Sequence, residues 1–354
     1  MDLYPQRPPM FSNATRSKLL RLAVAMVLVL ALIVVSKRPS TPSIRDAQGQ
    51  TIPGSIAWLE RVQIGGIEQW LLIRGRNERN PVLLFLHGGP GLALMPLAHV
   101  FQRNIEEDFV VVQWDMRGSG KSYNRKLTPD DLKEDRLVSD VHDVAQYLCT
   151  RLHQQKIYVV GHSFGSYLGL LAVQRYPELF HAFIGVGQVA DYDGRANLER
   201  AFIRREASLR GEEEDIKDLD TANTKTLRRM VVRYGGDVHA FGGEFPFLKA
   251  SIRATEYSWP DYLRYVAGLW LYSYRSELFR PDPPSHVRAV TVPVYFFLGK
   301  FDAVAPPELA GSYLQSLSAP SKTIVWFEHS GHWPFLEEPQ RFREQMHAIA
   351  NATQ

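Results

Sequence analysis

The stretch VVGHSFGSY, Val159 to Tyr167, sets a serine two residues after one glycine and two before another. Glycine weakens helix and strand interiors alike, so this pair marks a place where the backbone must do something that other residues obstruct. The preceding run, Ile157 to Val160, is apolar without alternation, as in a strand buried on both faces. The following run, FGSYLGLLAVQRY, reads as a helix stopped by Pro177. A strand that turns sharply into a helix strains the residue at the apex and crowds the neighbours two positions away. Gly161 and Gly165 remove the Cβ atoms that would collide. Ser163 is therefore expected at the tip of an elbow, beside a helix N-terminus that favours incoming negative charge. The five-residue pattern alone arises by chance in roughly one chain in ten of this length. The strand before it and the helix after it give it meaning.

The rest of the chain repeats that rhythm. IAWLERVQI and EQWLLIRG read as two antiparallel strands turning at Gly65-Gly66, and PVLLFLHG, FVVVQWD, KIYVVGHS, AFIGVGQ, VPVYFFLG and TIVWFEHS as further strands. Between them, Val138, Val141, Val144, Ala145, Leu148 and Leu152 recur at helical spacing, and helices are expected near Glu308–Leu317 and Gln340–Ala350. Alternating strands and helices predict an α/β fold around a mostly parallel sheet covered on both faces. Residues 191–287 break the pattern with a charged stretch and then eight aromatic residues from Tyr257 to Phe279. This segment reads as a helical cap on the sheet. Its aromatics either pack cap against core or line a substrate channel, and its acidic run Glu212–Asp215 reads as a solvated face or turn.

Ahead of the sheet, Leu19–Ser36 is apolar apart from Arg21 and is preceded by Arg7, Arg16 and Lys18. At ~1.5 Å per residue it reaches roughly 27 Å, close to the thickness of a hydrocarbon core. A single transmembrane anchor is expected, with a secretory signal peptide as the rival and secretion after cleavage as its consequence. The basic residues before the span place the N-terminus in the cytoplasm and the catalytic domain outside. The expected organisation is a basic N-terminus (1–18), an anchor (19–36), a polar linker (37–54), a first core part (55–190), the cap (191–287) and a second core part (288–354). Of the 354 residues 45% are hydrophobic and 22% charged, as in a globular protein, and the formal charge of +3 with no basic stripe argues against nucleic acid as a partner. Cys149 is the only cysteine, which rules out an internal disulfide and a cysteine metal site.

A serine hydroxyl needs a base, and the base an orienting acid. In an elbow of this type they follow in the order serine, acid, histidine. Asp302 stands just past the strand VPVYFFLG, and His332 in SGHWPF just past TIVWFEHS. His329 competes with His332, but Gly331 frees the loop position at His332 and Trp333-Pro334 fixes it. The oxyanion donors are expected to be the backbone N–H groups of Phe164 and of Gly89 in HGGPG, with Gly88 the alternative. His87, Gly88, Asp115 and Arg117 are expected to support the loops around them.

Together HGGPG, WDMRGSGKS, GHSFGS, FDAVAP and SGHWPF resemble the α/β-hydrolase fold family, in its proline iminopeptidase-like branch, over about Ile56 to Ala350. The resemblance implies an eight-stranded sheet, a cap inserted after the sixth strand, a Ser163–Asp302–His332 triad, no cofactor, and small peptides with an N-terminal proline or similar residue as substrates. Two departures bear on the substrate. Phe164 replaces the tryptophan usual after the nucleophile, and no Trp-Glu pair is present to hold a substrate ammonium. Glu199, Glu206, Glu244 and Glu256 are the candidates for that role. An esterase, thioesterase or lactonase on small acyl substrates is the alternative. Epoxide hydrolase and dehalogenase chemistry use an aspartate where Ser163 stands. A catalytically silent protein that binds a small ligand is the alternative of another class.

Overall fold

A computed structural model describes residues 15, 17–22, 24–26, 38–191, 194–217, 219–241, 246–274 and 286–353. Eight strands form one sheet: β1 (Ile56–Ile64), β2 (Ile67–Gly75), β3 (Val82–Leu86), β4 (Val110–Asp115), β5 (Ile157–His162), β6 (Phe180–Val186), β7 (Val294–Gly299) and β8 (Lys322–Phe327). They lie in the order β1-β2-β4-β3-β5-β6-β7-β8. β1 pairs antiparallel with β2, and β2 with β4, while every other pairing is parallel.

The uninterrupted apolar runs follow from this geometry. Alternate residues of a strand point to opposite faces, and here both faces are covered. Leu84 and Leu86 of β3, Val112 of β4 and Val159 of β5 join a core with helices α1 (Glu134–Arg151) and α2 (Phe164–Arg175) and with the later helix Pro307–Ser316. Their neighbours Leu83, Phe85, Val111, Tyr158 and Val160 join a second core with the helix Pro339–Thr353, through Phe342, Met346 and Ile349. The parallel strands all deliver their carboxyl ends to one edge, where such sheets hold their ligands.

Between β6 and β7 the chain forms α3 (Arg195–Arg210), α4 (Thr224–Arg233) and α5 (Trp259–Tyr274) with shorter helical turns. Ile203, Ala207, Leu227, Met230, Val231 and Tyr234 give this insertion a small core of its own, which reaches Ala303 beyond β7. In the acidic run Glu213 and Glu214 are exposed as expected, while Glu212 and Asp215 are half-buried and share the hydroxyl of the buried Tyr234. The expected aromatic packing is split between two faces. Tyr257 and Tyr272 are buried under α5, whereas Trp259 and Trp270 stand on its outer face.

The anchor expected over Leu19–Ser36 falls mostly outside the described residues. Residues 17–22 and 24–26 are helical, and among the described residues no helix is long and apolar enough to cross a membrane.

Candidate active site

The strand-to-helix elbow is present at the end of β5. Ser163 takes φ 53° and ψ −121°, a left-handed region that few residues other than glycine enter. Its N–H donates to Val186 O at 2.9 Å, which fastens the apex to β6. A Cβ at Gly161 would lie 2.6 Å from Ser166 Cα, and one at Gly165 would lie 2.6 Å from Leu86 C. Both contacts are with backbone, so only glycine lets the helix fold back against the strands. Phe164 begins α2 and places its backbone N–H at the helix N-terminus beside the serine.

Asp302 and His332, the expected acid and base, stand on the loops after β7 and β8. Asp302 Oδ1 accepts from the backbone N–H groups of Val304 (2.9 Å) and Ala305 (2.8 Å), leaving Oδ2 2.8 Å from His332 Nδ1. An accepting carboxylate oxygen there puts the ring proton on Nδ1 and leaves Nε2 as an acceptor. His329 is exposed and meets Glu338 through its backbone N–H. A Cβ on Gly187 would come within 2.6 Å of His332 Nδ1, so the missing side chain makes room for the imidazole.

Ser163 and His332 face one cavity of about 300 Å³, with Gly89, His162, Gln188 and Trp333. Among the described residues no hydrogen bond yet joins Ser163 to His332, a pairing that commonly tightens only in the complex with substrate. Gly89 lines the cavity, while Gly88 packs behind the serine, where an added Cβ would lie 2.9 Å from Ser163 Cβ. His87 is buried and its pKa is pushed down to about 4 by that burial. In the neutral ring Nε2 accepts from Met116 N–H at 3.3 Å, and Nδ1 donates to Gly88 O at 3.0 Å. Arg117 is 1% exposed and makes two hydrogen bonds to Asp140, at 2.7 and 2.9 Å, and one to Gly65 O at 2.7 Å. Asp115 is buried against the insertion, accepting from Lys121 N–H at 2.8 Å and from the Tyr257 hydroxyl, and burial raises its pKa to about 7.

Several residues of the site carried no sequence signal. His162, next to Ser163, is buried with its pKa well below the ordinary value, chiefly through desolvation, and its Nε2 lies 2.9 Å from His332 O. The insertion contributes Arg195, Glu199, Thr224 and Arg228 to the cavity. Of the four candidate glutamates, Glu199 lines the cavity; Glu206 pairs with Arg205, Glu256 lies by a separate cleft, and Glu244 falls outside the described residues. Burial raises the pKa of Glu199, and Arg195, 3.1 Å away, opposes that shift. The insertion also grips the loops after β7 and β8: Ala303 N–H donates to Gly236 O at 2.9 Å, and His332 N–H to Asp237 O at 2.6 Å. The Asp237 carboxylate accepts from Trp333 Nε1 at 2.8 Å and pairs with Arg228 at 3.2 Å. No cluster of metal-ligating side chains occurs among the described residues.

Residues 81–339 match the family model of the alpha/beta hydrolase fold. The chain is 32% identical over 305 residues to the protein named Probable aminopeptidase YbaC of Bacillus subtilis (strain 168), an alignment covering 81% of this chain and 94% of that one. It is 24% identical over 272 residues to a proline iminopeptidase of Heyndrickxia coagulans, covering 75% and 89%. Among solved structures, a proline iminopeptidase-related protein of Thermus thermophilus superposes with a TM-score of 0.57 at 22% identity, covering 84% of this chain and 98% of that one.

Proposed function

The chain belongs to the α/β-hydrolase fold family and is a hydrolase, and from that premise we propose that it cleaves small peptides or amides with a free N-terminal amine through a Ser163–Asp302–His332 triad. The observation that carries this reading is the hydrogen bond from His332 to Asp302 at the cavity where the strained elbow presents Ser163.

In the forward step His332 Nε2 takes the proton of Ser163 Oγ as that oxygen attacks the scissile carbonyl. Asp302 holds the ring in the required tautomer and stabilises the imidazolium. The backbone N–H groups of Phe164 and Gly89 receive the oxyanion, each such donor being worth ~3 kcal/mol in the barrier. His332 returns the proton to the leaving amine. Water, activated by the same nitrogen, then releases the acyl group and restores the serine. Two carboxylates, Asp191 and Glu199, line the cavity, and the buried Glu199 is the better suited to the substrate ammonium, since a buried carboxylate gains most from a cation brought to it.

A second reading has its own support. Arg195 and Arg228 stand in the same cavity, and Arg195 already engages Glu199, which would suit an ester or other acyl substrate carrying an anion. Prolyl and alanyl arylamides assayed beside small acyl esters separate the two: faster arylamide turnover supports the aminopeptidase, and ester turnover alone rejects it. Ser163→Ala should abolish turnover and fluorophosphonate labelling, a loss on the order of a millionfold in kcat. Retained labelling overturns the serine mechanism. We also assign the apolar segment Leu19–Ser36 to a membrane tether with the hydrolase outside, supported by its length and the basic residues before it.

A further inference from the structure

Helix α5 is apolar on two sides. Its inward side packs Tyr265, Leu271 and Tyr272 against the core and adds polar contacts: the buried Asp261 pairs with Lys121 at 2.7 Å, and the Tyr272 hydroxyl donates to Arg117 O at 2.5 Å. Its outward side carries an apolar stripe with Arg264 beside it. Trp259 is 43% exposed, Leu263 72%, Val266 50% and Trp270 61%, at spacings of four, three and four that align them on one side. Leu248 and Ile252, 78% and 42% exposed, precede the helix, and the short turn carrying them joins it through a hydrogen bond from Tyr262 to Ser251 O. A water-facing helix ordinarily carries polar residues on its outer side, and a contiguous apolar patch on a protein surface marks a contact.

The chain itself indicates what that contact is. Ser40 N–H donates to Thr255 O at 3.0 Å, and Arg74 donates to Thr41 Oγ1 and Pro42 O, so the linker is fastened four residues before Trp259. From Ser36, where the apolar segment ends, to Ser40 an extended chain spans at most about 14 Å. A tether that ends at the membrane face therefore holds Ser40, and Thr255 bonded to it, within about 14 Å of the lipid, with the start of α5 four residues further along the chain. Lys249, Arg253 and Arg264 are exposed beside the stripe, and tryptophans stand near both its ends. Basic residues and tryptophan beside aliphatic side chains are what an interfacial helix presents to lipid head groups and acyl chains.

We propose that the outer face of α5, centred on Trp259, Leu263 and Val266, lies in the surface of the bilayer that holds the tether. The proposal rests on the tether reading and goes beyond it, because a tether alone would leave the domain free to tumble. A covering by the chain's own apolar segment or by a second copy is the competing arrangement.

The test uses the full chain in vesicles of phosphatidylcholine with a minority of phosphatidylglycerol. Leu263→Cys in a Cys149→Ser background carries an environment-sensitive fluorophore, and Leu209→Cys, at a position 76% exposed on α3, serves as the reference. Bromine-bearing acyl chains should quench the label at 263 to less than about half of its emission and leave that at 209 unchanged, as burial at the acyl boundary requires. Equal emission at the two positions, in protein that floats with the vesicles, overturns the docking and leaves the tether standing. Shielding of the 263 label from aqueous iodide without quenching by bromolipid overturns it in favour of a protein covering, and dependence on protein concentration identifies a second copy. Failure to float overturns tether and docking together. Leu263→Glu with Val266→Glu should keep flotation and fluorophosphonate labelling of Ser163 while abolishing bromolipid quenching of tryptophan emission.

Discussion

The sheet and the insertion place functional side chains by different means. In the sheet, Ser163, Asp302 and His332 are set by backbone: a φ of 53° at the elbow, two N–H groups on Asp302 Oδ1, and glycines where a Cβ would collide. In the insertion, Glu199 and Arg228 reach the cavity on long side chains held by ion pairs, to Arg195 and Asp237. Backbone placement is rigid and admits few substitutions, whereas a helix carrying long side chains can change what it presents without moving. Chemistry should therefore reside in the sheet and substrate choice in the insertion, with Asp237, whose carbonyl holds His332 N–H, as the point where the two meet.

The largest effect after loss of the nucleophile is expected from Asp302→Asn. Wrong-tautomer histidine should lower kcat by about 10⁴-fold with KM little changed. A fall of less than tenfold would break the assignment of the acid. Gly161→Ala probes backbone placement through stability. Its methyl would meet Ser166 Cα at 2.6 Å, and the cost should be about 3 kcal/mol, read as a lower unfolding midpoint. Unchanged stability would show that the elbow has more room than its geometry allows.

Glu199→Gln tests the insertion. For amine-bearing arylamides KM should rise about 10- to 100-fold, the worth of a charge-assisted contact, with kcat nearly constant and ester kinetics unaffected. An equal fall in kcat for both substrate types would place Glu199 in the chemistry and dissolve the division.

The smallest effect concerns the seam between the regions. Burial holds the Asp115 carboxyl at about 7, above its ordinary 3.8, so the folded state keeps a proton that the unfolded chain releases between those values. That contribution is fully present below pH 3.8 and is lost as pH rises through 7. Asp115→Asn removes it, and the stability of the variant relative to the wild type should rise steadily from pH 4 to about pH 7. His87, held near 4 by burial, has the opposite sign, its contribution being lost as pH falls through 4, but it is common to both proteins and cancels in the difference. A pH-independent difference would show that Asp115 ionises as an exposed carboxyl does.

The inner strands were legible because a strand covered on both faces is apolar along most of its length, as in VLLFL of β3 and VYFFLG of β7, and β1 and β2 because two strand-like runs flank the Gly65-Gly66 turn. The elbow was legible because its steric demand falls within five residues. The meeting of Asp302 and His332 was legible because parallel strands send their following loops to one edge. Which glutamate enters the cavity was not: Glu199 and Glu206 lie two turns apart on one face of the same helix, and only the packing against Leu227 and Val231, which sets that helix along the rim, puts the first of them at the cavity. The grip of Gly236 and Asp237 on the loops after β7 and β8 was equally silent, since backbone carbonyls carry no sequence signature.

Residue order was thus enough to set the strands, the turn at Ser163 and the places from which its partners could come, because steric exclusion and the period of a strand act between near neighbours. Packing settled which charged groups enter the cavity, which loop carbonyl steadies His332, and that α5 turns an apolar side outward. Those outcomes depend on how helices distant in the chain stack upon one another, and many sequences with the same local pattern would stack differently.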